Sequence, residues 1–206
     1  GDMPCATGLT CTGSALSGGT CASTAMAGGA CAPVLGTSIC PMGQYCLASS
    51  FTAGTCNAMT TAEMEPNNNP NDVTMRAAAA PTLYRGTLER FDVDCYALTV
   101  PAMGRITAVV SDGNGHCPVN IGGRLAMDVY SSDGTTVRGI TQQNGPFGSG
   151  SCAHVDGART ALYPWASSLA AGTYYVCIRG VQDAANNVTT ERVENYVLSV
   201  AASAGM

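Results

Sequence analysis

The sequence contains no lysine, and its nine cationic side chains are all arginines that form no basic run. Charged residues make up 11% of the 206 residues, whereas about 25% is typical of globular proteins. The net charge is −5. Because a nucleic-acid partner requires clustered cations to neutralise its phosphates, this composition excludes a conventional nucleic-acid-binding surface.

Long apolar runs are also missing, because no stretch reaches the length of about 18 apolar residues that a membrane-spanning helix needs. The N-terminus shows no signal-peptide pattern, as expected for a mature form or a piece of a longer chain. Only two histidines occur, and no nucleophile-elbow or other protease signature accompanies them. The sequence therefore predicts a protein that is not an enzyme.

Cysteine, in contrast, is abundant, with seven of the eleven cysteines in residues 1–56 and four in residues 95–177. Their spacings lack the C-x2-C pairs that are typical of zinc sites. Disulfide bonds in an oxidising compartment are therefore the better interpretation.

The first quarter of the chain contains a repeat. CATGLTCTGSALSGGTC (5–21) and CPMGQYCLASSFTAGTC (40–56) share the form C-x5-C-x9-C at an offset of 35 residues. The second copy adds a leading cysteine, which predicts a complete unit with two internal bridges, and the corresponding residue of the first copy would fall upstream of Gly1. The four cysteines of this unit are Cys31, Cys40, Cys46 and Cys56.

Residues 1–58 form the first predicted domain. The segment has few large apolar side chains, so disulfides must replace a hydrophobic core, each stabilising by roughly 2–4 kcal/mol. Its C-x2-G-x2-C and G-x-C spacing resembles the dickkopf-like cysteine-rich repeats of bacterial surface proteins. A disulfide knot without a binding role is the alternative that we favour.

Residues 59–206 form the second predicted domain. Composition changes at 57–72, where Asn and Pro replace Cys and indicate a linker or the start of a new domain; Pro66 and Pro70 are expected to break regular structure there. Short alternating segments separated by Gly, Asp and Asn turns follow. This pattern predicts an all-β fold, an antiparallel β-sandwich or jelly roll.

Five motifs in this second part agree with a known family in their order. They are ExEPNN at 63–68, GTLERFDVDCYALTV at 86–100, LAMDVYSSDGT at 125–135, LAAGTYYVCIRG at 169–180 and YVLSV at 196–200. Together they resemble the bacterial pre-peptidase C-terminal domain, a β-sandwich attached to secreted proteases and other exported proteins. The resemblance implies a non-catalytic accessory module, associated with secretion or with attachment to a substrate or matrix. The four cysteines and the Gly-rich insertion at 139–158 depart from the family.

A calcium site is the main chemical prediction. In collagen-binding relatives the matching linker acids and strand aspartates bind calcium, and Ca²⁺ prefers six to eight oxygen ligands. The alternative is a solvated polar linker. The predicted ligands are Glu63, Glu65, Asn67, Asn68, Asp92 and Asp94.

Strand alternation predicts one disulfide in the sandwich. If Tyr96 and Leu98 face the core, and Val176 does so on another strand, then Cys95 and Cys177 lie on the opposite face, where they can bridge neighbouring strands.

The remaining cysteines, Cys117 and Cys152, are predicted to bond to each other. This leaves His116 and His154 as exposed loop residues. A zinc site formed by these four residues is the less favoured alternative.

Two further residues are interpreted structurally. Trp165 is expected to cover the core from a loop rather than to bind a ligand. Asn187 lies in an N-glycosylation sequon, which is usually silent in a bacterial protein.

Two functions remain open at this stage. The first is a calcium-stabilised accessory or binding module of a larger secreted or surface protein, with an extracellular protein or polysaccharide matrix as its partner. The second is a structural subunit of an extracellular fibre, with copies of itself as partners.

Overall fold

The computed structural model describes residues 9–12, 20–33, 38–58, 60–79, 81–113, 125–142, 152–181 and 193–205. Short strands run through the cysteine-rich segment: β1 Leu9–Thr12, β2 Thr20–Thr24, β3 Ala30–Cys31, β4 Ser38–Ile39, β5 Tyr45–Ala48 and β6 Gly54–Asn57. The strands that follow are β7 Thr61–Ala62, β8 Thr82–Leu88, β9 Val93–Val100, β10 Gly104–Ser111, β11 Leu125–Tyr130, β12 Val137–Gln142, β13 His154–Asp156, β14 Gly172–Gly180 and β15 Val193–Ala204. Helical structure in the described residues consists of α1 Pro70–Val73 and the 3-10 turns Thr74–Arg76 and Pro164–Ala166.

The strands after residue 60 form two sheets. The first sheet has the order β13-β10-β15-β8-β7, and the second has the order β12-β11-β14-β9. Neighbouring strands are antiparallel except β7, which pairs in parallel with β8. The predicted all-β, antiparallel fold is therefore confirmed.

The core lies between these two sheets. Strand β9 contributes Tyr96 and Leu98 to it, β14 contributes Val176 and Ile178, and β15 contributes Leu198, all of them buried. Alternate residues of each strand point to this side, which is the period-2 pattern that the sequence shows. Trp165 is half-buried and packs against the same cluster, as expected.

The outer face of the second sheet carries the disulfide between Cys95 and Cys177. The two residues are direct register partners on β9 and β14, and their sulfurs are 1.99 Å apart. Both are buried, because Val73 of helix α1 packs over them. The strap, defined here as residues 60–79, thus covers a face that would otherwise be open.

Helix α1 begins differently from the prediction. Pro70 does not break regular structure but starts the helix, where its missing N–H costs nothing. Asn69 is the N-cap residue, and its side-chain oxygen accepts a hydrogen bond from the Asn71 N–H at 3.0 Å. The segment is therefore an ordered part of the fold rather than a simple linker.

The second cysteine repeat is a small unit held by two disulfides, Cys31–Cys46 and Cys40–Cys56. These are the two internal bridges that the repeat predicts. Strands β3, β6 and β5 form a sheet within this unit, whereas β4 pairs with β2 of the first copy in a second sheet, β1-β2-β4. Cys21 is also disulfide-bonded.

This cysteine unit, residues 30–57, packs on the outer face of the first sheet. The Ala48 N–H donates to Ser199 Oγ at 2.8 Å, and the Phe51 N–H donates to Asp156 Oδ2 at 3.3 Å. The Phe51 ring stacks on His154, with centroids 3.8 Å apart. The two segments are therefore in direct contact, while the predicted boundary at 58/59 stays a prediction.

His154 differs from the prediction that it is an exposed loop residue. It lies in β13 and is 8% exposed, because the cysteine unit covers this face of the sheet. Cys152 is disulfide-bonded, whereas His116, Cys117 and Asn187 lie outside the described residues. The Cys117–Cys152 pairing therefore stays a prediction.

Candidate functional site

The candidate site lies where the strap passes the first residues of β9. Strand β7 holds the start of the strap on the edge of the first sheet through its pairing with β8. A turn leads into β9, with Phe91 at a φ of 67° and the Asp92 N–H donating to the Glu89 carbonyl at 3.1 Å. A left-handed conformation at a non-glycine residue costs roughly 1–3 kcal/mol and often marks a functional site.

Three of the predicted ligands come together here. Carboxylate oxygens of Glu65, Asp92 and Asp94 all lie within 4.8 Å of one another. Glu65 is exposed, Asp92 is half-buried and Asp94 is fully buried. Asp94 is buried because it shares the inward face of β9 with Tyr96.

The Asp94 carboxylate belongs to a buried polar network. It accepts a hydrogen bond from the Tyr196 hydroxyl at 2.7 Å, and the Tyr196 hydroxyl also contacts that of Tyr96. Burial raises the pKa of Asp94 to about 8, although the Tyr196 hydrogen bond opposes this. The nearby charges of Glu63, Asp92 and Glu65 raise it further.

Glu63, which directly follows strand β7 of the first sheet, also contacts this network. Its Oε1 accepts a hydrogen bond from the Thr87 N–H at 2.8 Å, and its Oε2 lies 3.0 Å from the Tyr196 hydroxyl. Gly86, the register partner of Tyr196, makes room for it: a Cβ at Gly86 would lie 2.0 Å from Glu63 Oε2. Glu63 therefore fills the space that a side chain at position 86 would occupy, and it is not part of the group of three.

The two predicted asparagine ligands have different positions. Asn67 is buried, its carbonyl accepts from the Cys95 N–H at 2.8 Å, and its own N–H donates to Glu65 Oε2 at 3.0 Å. With its amide nitrogen turned toward Glu65, the Asn67 side chain also donates to Oε2 at 2.8 Å. Asn67 thus orients Glu65, while Asn68 is exposed to solvent and lies outside the group of three.

The site carries unbalanced negative charge. Burial raises the pKa of Glu65, the hydrogen bond from Asn67 lowers it, Asp92 and Glu63 raise it, and Arg76 lowers it. Within the described part of the chain, no ion pair neutralises Glu63 or the three grouped acids; the ion pair found there joins Arg179 to Asp128 at 2.7 Å on another part of the second sheet. Asp94, the buried member of the group, can lose its negative charge only by binding a proton or by pairing with a cation.

The zinc alternative has no support at His154. Its Nδ1 lies 2.7 Å from the Cys152 carbonyl, and its Nε2 lies 2.8 Å from the Tyr163 hydroxyl. Both ring nitrogens are therefore used within the fold, and burial lowers the pKa of the imidazole.

Sequence reasoning missed the tyrosines and the glycine of the network. The sequence predicts Tyr96 only as a core residue, and it gives Tyr196 and Gly86 only as the first residues of two motifs. The available signal was that Tyr196, Tyr96 and Asp94 all fall on inward positions of strands.

Of the three comparisons with known proteins, the one with solved structures finds similar chains. No family model matches this chain, so the resemblance to the pre-peptidase C-terminal domain stays a prediction. No curated protein matches either. Among solved structures, the crystal structure of Aeromonas hydrophila PliG, a periplasmic inhibitor of g-type lysozyme, is similar at 16% identity and a TM-score of 0.36, over 61% of this chain and 89% of that one. A similarity at this level identifies neither a shared function nor a shared partner.

Two general properties are clear nonetheless. The disulfides indicate a protein that folds in an oxidising compartment, outside the cytosol. No helix in the described ranges is both long enough and apolar enough to cross a bilayer. The disulfides alone favour an extracellular or periplasmic location.

Proposed function

We propose that this chain is a non-catalytic binding module of an extracellular or cell-surface protein, and that Ca²⁺ bound by Glu65, Asp92 and Asp94 holds its strap closed. The observation that carries the proposal is that three carboxylates from the strap and from β9 converge within 4.8 Å without a neutralising ion pair in the described residues. Calcium binds clusters of this kind with carboxylate, carbonyl and water oxygens, and it accepts flexible loops. The resemblance to the pre-peptidase C-terminal domain supports the same role.

Each residue of the proposed calcium site has a separate role. Glu65 brings a ligand from the strap, and Asp92 and Asp94 bring ligands from the start of β9. Asn67 orients Glu65, and Glu63 closes the inner side of the site through Tyr196. A bound cation would therefore cross-link the strap to the second sheet at the point where the strap covers the disulfide.

A thermal denaturation experiment tests the calcium part. Calcium at 100 times its dissociation constant should stabilise the folded state by about 2.7 kcal/mol relative to protein in EGTA, because the ion binds only the folded site. Asp92→Asn should abolish most of this response, since it removes one charge while keeping an oxygen for the hydrogen bond from Val93. Asp133→Asn, an exposed acid outside the group, is the matched control and should respond like the unchanged protein.

The binding part is tested by the oligomeric state. Monomers in size-exclusion chromatography, with and without calcium, are expected for a module that binds a protein or polysaccharide matrix. Regular polymers would overturn this and favour the fibre subunit instead. An unchanged melting temperature together with no heat in a calcium titration at millimolar concentration would remove calcium from the proposal.

A further inference from the structure

A cavity of about 120 Å³ lies between the strap and strands β8 and β9. Its size is close to that of an engineered cavity of about 150 Å³ that binds benzene. A four-carbon chain, which has fewer carbon atoms than benzene, therefore has the right size to fill it. Much of the lining is apolar and comes from Ala62, Met64, Val73, Tyr84, Tyr96 and Ala97.

The cavity also has a charged side. Glu63 lines it, and its carboxylate accepts a hydrogen bond from the Thr87 N–H and lies 3.0 Å from the Tyr196 hydroxyl, but it forms no ion pair among the described residues. Glu65 adds negative charge next to it, because its carboxylate is close enough to interact electrostatically with that of Glu63. A ligand that matches both features has an aliphatic body and a cationic head.

We propose that this cavity binds an aliphatic ammonium group, either the side chain of a partner's lysine or a free alkylamine. The methylene groups would lie along Tyr84 and Tyr96, whose ring centroids are 4.4 Å apart, and the ammonium would meet Glu63. Tyrosine rings add attraction for a cation near their faces. Because the chain has no lysine, no side chain of this type from its own sequence competes for the site.

The site is adjacent to the proposed calcium site but separate from it. Glu63 is not one of the three grouped carboxylates, so the inference rests on the proposed binding role and does not need calcium. Bound calcium should weaken ammonium binding, because the two cations repel each other across the site.

Arg76 opposes the ligand's charge. It lines the same cavity, and its guanidinium donates a hydrogen bond to the Met64 carbonyl. Arg76→Gln removes a like charge from an exposed side chain, so this variant should bind an alkylammonium several-fold more tightly. A conserved or weakened affinity in folded Arg76→Gln protein would contradict the predicted electrostatics.

The probe is n-butylammonium chloride, with n-butanol as the uncharged control, added to calcium-free protein in EGTA. Methyl resonances of Val73 and Ala97 should shift with saturation for butylammonium. The same shifts should need at least about tenfold more butanol, because the alcohol lacks the charged hydrogen bond to Glu63. Glu63→Gln keeps the size of the side chain and one oxygen to accept the hydrogen bond from the Thr87 N–H, and it should weaken butylammonium binding by about the same factor. Ala62→Leu and Ala97→Leu fill the cavity and should prevent binding.

Three results would overturn the inference: no shifts at about 100 mM butylammonium, equal affinities for the amine and the alcohol, or unchanged binding in a folded cavity-filling variant. Exposed Ala62 makes Ala62→Leu the safer variant if Ala97→Leu does not fold. A second titration with N-acetyl-lysine methylamide separates the two sources: binding at the same residues assigns the site to a protein lysine, whereas binding of butylammonium alone assigns it to free amines. Failure of the calcium response leaves these titrations interpretable, because they are done without calcium.

Discussion

The sandwich and the cysteine unit reach a fixed structure by different means. In the sandwich, two sheets bury a continuous apolar core that includes Leu98, Ile106 and Met127. In the cysteine unit, the larger apolar side chains such as Tyr45 and Leu47 are only half-buried, and two disulfides provide the constraint. The difference shows that one chain can combine a core-stabilised part with a part whose stability depends on the redox state of its surroundings.

The largest difference in stability between the two parts should appear when one leucine in each is truncated to alanine. Leu98→Ala should reduce the free energy of unfolding by about 2–5 kcal/mol, because Leu98 is fully buried and leaves a cavity. Leu47→Ala should cost less than about 1 kcal/mol. Urea denaturation of both variants measures the ratio, and equal losses would contradict a core confined to the sandwich.

Removing a disulfide from the cysteine unit should have the next largest effect. Cys31→Ala with Cys46→Ala opens a loop of 15 residues and should cost about 3 kcal/mol. Hydrogen exchange should show lost protection in residues 38–57 and retained protection in β10 and β15. The matched variant, Cys95→Ala with Cys177→Ala, should instead weaken protection in β9 and β14, and a global loss in the first variant would show that the two parts unfold together.

The stability of the sandwich should depend on pH through the ionisation of Asp94. Its pKa of about 8 in the folded protein exceeds the ordinary value of 3.8, so the folded state holds a proton that the unfolded chain has released. In EGTA, the contribution of Asp94 to the free energy of unfolding is therefore most favourable below about pH 4, and it falls as the pH rises toward 8. Melting temperatures between pH 4 and 8 test this; Asp94→Asn should flatten the profile, and a rise in stability in the unchanged protein would contradict it.

The contact between the two parts should show the smallest effect. Phe51→Ala removes the ring that stacks on His154 and should cost about 1 kcal/mol. Because burial lowers the pKa of His154, the folded state favours the neutral ring, and its stabilising contribution is lost as the pH falls through 6.5 toward the folded pKa. NMR titration of the imidazole should give a higher pKa in the Phe51→Ala variant, and an unchanged value would show that the cysteine unit does not shield it.

Local patterns predicted the features that depend on near neighbours. Alternation along β9 and β14 placed Tyr96 and Val176 in the core and paired Cys95 with Cys177 on the other face. The repeat likewise predicted the two disulfides inside the cysteine unit. Each of these features follows from strand period or cysteine spacing, which are visible within a few residues.

Features that depend on packing between distant segments were not predicted. His154 was expected to be exposed because its neighbours are rich in glycine, but a segment about 100 residues away covers it. Glu63 was placed among the calcium ligands, whereas in the fold it contacts Tyr196, which is 133 positions later. Pro70 was interpreted as a breaker because sequence alone does not show that Asn69 caps a helix in front of it.

The space at Gly86 has a practical consequence for dividing the protein into fragments. The Glu63 carboxylate occupies this space beside the first sheet. The packing of the sandwich therefore includes a residue that lies 24 positions before Thr87 of β8. A fragment that begins at Val73 would keep the strands β8 to β15 but would leave a hole beside Tyr196 that water could enter. An expressible form of the sandwich should therefore begin no later than Thr60.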